Sequence, residues 1–166
     1  MTVRENTISI LVNNKPDVLA RIAGTFSGRG FNIESISANI TRNPEITNII
    51  ITTIGDQETV IKLEKQLNKL VDVLEVRDLT DVSSAQREMI LVRMKVTASN
   101  RDRFTQIVDI HSWKIVSTDA DYCILEVTGD RQEIEDSLSL LETIGMEDFV
   151  RTGIVALKRC SPQQIG

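Results

Sequence analysis

At 166 residues, with 41% hydrophobic and 26% charged side chains, the chain has the composition of an ordinary folded protein and can bury one large core or two small ones. A net charge of -5 and only 4% aromatic residues disfavour a basic face or a set of stacking platforms, so no nucleic-acid partner is expected. The apolar run from Ile8 to Val12 is too brief for a signal-peptide core or a membrane span, which points to a cytoplasmic protein with no membrane partner.

Thr7 to Val12 alternates as a strand, with Ile8, Ile10 and Val12 on one side. Pro16 then suits the first position of a helix in which Leu19, Ile22, Ala23 and Phe26 form one apolar stripe, ended by Gly28 and Gly30. Asn32 to Ile40 reads as a second strand, Asn43-Pro44 as a turn, and Ile46 to Thr53 as a third strand rich in β-branched residues. Asp56 is placed to cap a helix with Val60, Leu63, Leu67 and Leu70 on one face, and Val73 to Val76 makes a short fourth strand. The order is βαββαβ, the split β-α-β arrangement of the ferredoxin-like fold.

The polar stretch DLTDVSSAQR, from Asp78 to Arg87, is the linker candidate. The same rhythm then restarts. Met89 to Thr97 alternates, Asn100 is a candidate cap for a helix carrying Phe104, Ile107, Val108 and His111, and Lys114 to Ser117 and Tyr122 to Thr128 read as two strands. Asp130 and Glu133 form a capping-box pattern before Ile134, Leu138 and Leu141, and Phe149 to Lys158 reads as the closing strand. An α+β protein of two tandem ferredoxin-like βαββαβ domains is therefore expected, the second offset by about eighty residues. The boundaries are 1–78 for the first domain, 79–87 for the linker, 88–160 for the second domain and 161–166 for a tail.

Catalytic chemistry is hard to find. The single histidine, His111, falls on the apolar side of its predicted helix, where a packed or half-buried ring is the bland reading and a general base the sharp one. Cys123 and Cys160 make neither a metal spacing nor a disulfide framework, and Cys123 reads as a small buried residue rather than a reactive thiol. No nucleophile elbow, phosphate loop or dinucleotide fingerprint is present, so no catalytic residue, metal or cofactor is assigned to this chain. Binding is easier to build. Free N–H groups at the start of the first helix, around Asp17, Val18 and Leu19, offer a seat for the carboxylate of a free amino acid. Asn14 and Asn32 suit either ligand contacts or plain turn geometry.

The string NKPDVLARIAGTFSGRGFNIESI, from Asn14 to Ile36, resembles the opening of an ACT domain, the amino-acid-sensing module, in the form found in small regulatory subunits of acetohydroxyacid synthase, also called acetolactate synthase. The similarity continues through EKQLNKLVDVLEV, REMILVRMKV and RTGIVAL. It implies that the first domain is an ACT domain and that the chain is a non-catalytic subunit. Its partner would be a large catalytic subunit using thiamine diphosphate, Mg²⁺ and FAD, in branched-chain amino acid biosynthesis. It also implies a homodimer through the ACT domains, with an effector, usually valine, held between Asn14, Asp17, Val18 and Leu19 of one chain and Asn32 and Ile33 of the other. The alternative is a free-standing ACT-domain amino-acid sensor acting on another protein.

Two departures from the family pattern stand out. Asp17 occupies a place where the family usually has glycine. A carboxylate about 5 Å from the ligand carboxylate at an effective dielectric of ~20 repels it by roughly 3 kcal/mol, on the order of a hundredfold in affinity, unless Lys15 or Arg21 compensates. The second departure is His111-Ser112-Trp113-Lys114, in which Trp113 is either a core anchor or a contact for the catalytic subunit.

Overall fold

The computed structural model describes residues 3–159. Cys160 and the expected tail at 161–166 lie outside the described residues. The first repeat runs β1 (Arg4–Asn13), α1 (Val18–Ser27), β2 (Ser35–Ile40), β3 (Ile46–Gly55), α2 (Gln57–Leu67) and β4 (Val73–Asp78). The second runs β5 (Ser84–Lys95), α3 (Arg101–His111), β6 (Lys114–Thr118), β7 (Tyr122–Gly129), α4 (Arg131–Glu142) and β8 (Met146–Arg151), followed by β9 (Val155–Lys158). The first sheet has the order β2-β3-β1-β4 and the second β6-β7-β5-β8, with β9 pairing to β5. Along the two four-strand orders every pair is antiparallel, as the βαββαβ reading requires. The repeat extends to irregularities: β1 slips register against β4 between Leu11 and Val12, and β5 slips against β8 between Arg93 and Met94.

Each sheet buries one face under its helices. In the first, Ile8, Ile10 and Val12 pack with Ile49 and Ile51 beneath Ile22, Phe26, Val60, Leu63 and Leu67. In the second, Ile90, Val92 and Met94 pack with Cys123, Leu125 and Val127 beneath Phe104, Val108, Ile134, Leu138 and Leu141. Cys123 is a core side chain, and burial pushes its thiol pKa up. Both second helices start as the sequence indicates. The Asp56 side chain accepts from the Thr59 amide at 3.0 Å, and Asp130 and Glu133 close a full capping box. Among the described residues no helix is long and apolar enough to cross a membrane.

Several elements differ from the sequence reading. The α1 stripe is Val18, Ile22 and Phe26, at successive intervals of four, while Leu19 lies on the flank of that stripe in the first turn and is 46% exposed. Asn32 and Ile33 precede β2 as coil. Asn100 stands at the start of α3 without capping it. Its Oδ1 accepts from the Thr97 amide at 2.7 Å, and its Nδ2 donates to the carbonyls of Lys95 and Ile144 at 2.8 Å each, which ties three chain segments together. The expected closing strand is two strands, interrupted at Gly153, whose φ of 80° favours glycine. Ser84 to Arg87, within the stretch read as a linker, already belongs to β5. Among the described residues, one compact unit takes in 3–85 together with 154–159, and the other runs from Gln86 to Gly153.

Candidate functional site

The start of α1 is built from an unusual backbone. Asp17 precedes the helix with φ 69° and ψ -13°, one of two non-glycine residues with positive φ among the described residues, and its side chain makes no capping hydrogen bond. Its carbonyl accepts the first helical bond, from the Arg21 amide at 3.0 Å. The amides of Val18, Leu19 and Ala20 therefore lack an intrahelical acceptor, and they carry the positive end of the helix dipole. Such a helix start can receive a carboxylate.

The loop before it is pinned from both sides. On one side the Asn14 amide donates to the Glu45 carbonyl at 2.7 Å and its Nδ2 to the Pro44 carbonyl at 2.9 Å. The Asn14 side chain thus ties its loop to the Asn43-Pro44 turn, thirty residues on. On the other side stands Asp72, which the sequence reading passed over. Its side chain is only 8% exposed and accepts from Lys15 Nζ at 2.9 Å, Arg21 at 2.7 Å and Asn13 Nδ2 at 3.3 Å, while its carbonyl accepts from the Asn13 amide at 2.8 Å. Lys15 and Arg21, the two candidate counter-charges for Asp17, are thus both held by Asp72. The signal was present in Leu70-Val71-Asp72-Val73-Leu74, where an acid interrupts an apolar run and must find partners if buried.

The hydrogen bond from Lys15, then that from Asn13, and further on that from Arg21, outweigh burial and hold the Asp72 pKa at about 2, below its ordinary 3.8. A carboxylate with a depressed folded pKa stabilises fully above its unfolded value and loses that contribution as pH falls toward the folded one. Asp72→Asn should therefore be less stable than the parent at neutral pH, with the gap closing between about pH 4 and about pH 2. Urea melts at stepped pH read this directly, and a gap that stays constant down to pH ~2 contradicts it.

At the other end of α1, Asn32 is exposed, with its carbonyl accepting from Thr53 Oγ1 at 2.6 Å, and Ile33 packs half-buried against the core. A helix of 10 residues spans about 15 Å, so within one chain the Asn14, Asp17, Val18, Leu19 group and the Asn32, Ile33 pair stand apart. The structure brings the first four together and leaves the last two at a distance.

In the second unit, His111 is exposed rather than packed or half-buried, because the α3 stripe turns it outward. Its ring stacks on Trp113 with centroids 4.6 Å apart and planes 17° from parallel. Trp113 itself is half-buried against the core. Among the described residues no group of three or more His, Cys, Asp or Glu is placed to hold a metal ion.

Two βαββαβ units in tandem, the first with an uncapped helix start facing solvent, define an α+β protein of the ACT type. The comparisons narrow this. Residues 8–75 match a family model described as an AHAS small subunit-like ACT domain, and residues 87–160 match one described as the small subunit of acetolactate synthase. A probable acetolactate synthase small subunit of Archaeoglobus fulgidus is 38% identical over 155 residues, 93% of this chain and 97% of that one. An acetolactate synthase small subunit of Aquifex aeolicus is 39% identical over 158 residues, 95% of this chain and 82% of that one. The crystal structure of the acetolactate synthase small subunit from Thermotoga maritima superposes with a TM-score of 0.85 at 35% identity, covering 95% of this chain and 99% of that one. The chain belongs to the acetolactate synthase small subunit family.

Proposed function

We propose that this chain is a cytoplasmic regulatory subunit that binds and activates the large catalytic subunit of acetolactate synthase. In this reading the thiamine diphosphate, Mg²⁺ and FAD belong to that partner. The effector, valine or another branched-chain amino acid, sits between two copies of the ACT domain, with its carboxylate on the free amides at the start of α1. The supporting observation is the separation of the two residue groups along α1: they form one pocket only if a second copy contributes Asn32 and Ile33.

The edge strand β2 favours such a pairing. Its sequence, SISANI, carries no charge, and its Ile36 and Ile40 remain 39% and 61% exposed on the helix-bearing face of the sheet. Natural edges usually carry a charge or a bulge to prevent pairing, and β2 has neither. An antiparallel pairing with Ala38 opposite the partner's Ala38 sets Ile36 against the partner's Ile40, so apolar residues meet on one face.

Adding the protein to purified cognate catalytic subunit should raise acetolactate formation. No activation would remove this reading. Feedback should be weak in the parent chain because of Asp17. Water screens an exposed carboxylate, so the unscreened repulsion reduces to about tenfold in affinity. Asp17→Gly should bind valine about tenfold tighter by calorimetry. It should also gain roughly 0.5 kcal/mol of stability, since glycine adopts the left-handed backbone without strain but loses more chain entropy. Micromolar valine binding by the parent, no weaker than by Asp17→Gly, would contradict the effect assigned to Asp17.

A further inference from the structure

The face of the first sheet opposite its helices carries a second cavity, of about 440 Å³. Strand register places its floor. Ser9 lies opposite Arg77, and Leu11 lies opposite both Asn48 and Glu75, so these five side chains share the face turned away from Ile8, Ile10 and Val12. Thr41, Leu79 and residues 156–159, which belong to the same compact unit, complete the lining.

The polar groups here are arranged as donors. Arg77 uses Nε for Glu75, at 2.6 Å, leaving the two terminal nitrogens of its guanidinium open. Ser9 Oγ donates to Asn48 Oδ1 at 3.2 Å, which orients the Asn48 amide and leaves its NH₂ group to donate. Lys158 and Arg159 are in no ion pair among the described residues. Three cations thus face one carboxylate that is already paired, in a protein whose net charge is -5. Leu11, Leu79 and Leu157 supply an apolar wall beside them.

We propose that this cavity is a second ligand site, separate from the start of α1, for a small carboxylate with a short aliphatic tail. The carboxylate pairs with Arg77 and Lys158 and accepts from Asn48, while the tail lies against the leucines. The volume is that of a small-molecule site. Charge-assisted hydrogen bonds supply the attraction, and the apolar wall separates an aliphatic acid from an inorganic anion.

The test is an amide-resolved NMR titration of the full chain with butyrate and, separately, with inorganic phosphate. Butyrate should give saturable shifts at Ser9, Asn48 and Arg77 in the millimolar range, with phosphate clearly weaker. Arg77→Gln and Lys158→Gln should each weaken butyrate about tenfold while keeping the parent's dispersed spectrum, which shows that they fold. Absence of saturable shifts, shifts that survive both substitutions, or equal affinity for phosphate would each overturn the proposal. Butyrate shifts confined to Val18 and Leu19 would also overturn it, while supporting the carboxylate seat at the start of α1.

Discussion

Arg151→Ala should cost about 3–5 kcal/mol of folding stability, because it strands a buried charge. Glu88 is 3% exposed, beneath α4 on the helix-facing side of β5. Its carboxylate is held in a two-point grip, Oε2 by Arg151 Nε at 2.8 Å and Oε1 by the terminal nitrogen at 2.7 Å. The remaining guanidinium nitrogen reaches Glu135 on α4 at 2.9 Å, so one arginine joins β5, β8 and a helix. The hydrogen bond to Glu88 is the main reason the Arg151 pKa is pushed up, and burial opposes it without prevailing.

The size of the effect comes from the group left behind more than from the worth of the pair. Replacing both partners with apolar residues, as in Arg151→Met with Glu88→Leu, should recover most of the loss. Arg151→Lys should fall between, since an ammonium cannot make the two parallel bonds. Trp113 is the only tryptophan and lies in the same unit, so its fluorescence during urea unfolding reports the change locally. A midpoint for Arg151→Ala within ~0.5 kcal/mol of the parent would show that Glu88 finds water or another partner.

Phe26→Ala should cost a comparable ~3–5 kcal/mol, in the first unit. The ring is fully buried and meets Phe31 edge to face, with centroids 6.4 Å apart and planes at 73°. Phe31 in turn occupies the space over Gly55, where an added Cβ would lie 2.6 Å from its ring. Removing Phe26 therefore opens a cavity and loosens the segment that presents Asn32 and Ile33. The expected result is faster amide exchange across residues 31–34 and a lower thermal midpoint by far-ultraviolet dichroism, with the Trp113 transition much less changed. A loss below ~1 kcal/mol would mean that the core closes over the gap.

Much of this fold is legible locally. Alternation in Ile8-Ile10-Val12 and Ile90-Val92-Met94 identifies inward faces because strand side chains alternate whatever lies beyond them. Asp56 and Asp130 announce helix starts because a cap acts within three residues. The binding end of α1 is visible only in part. That the chain must start a helix near Asp17 follows from composition. That Asp17 holds a left-handed backbone, and that Val18 rather than Leu19 faces the core, does not.

By itself, then, the sequence determined the order of elements, their repetition, most of the core and the family resemblance, all of which rest on spacing between near neighbours. Tertiary structure alone decided three things. Lys15 and Arg21 pair with Asp72, more than fifty residues away, rather than serving Asp17. Glu88 is buried because Arg151, 63 residues on, arrives beside it. Residues 156–159 line the first unit's cavity although β9 follows the second repeat. In each case the outcome depends on which groups the fold brings together from distant parts of the chain, and no periodicity records that.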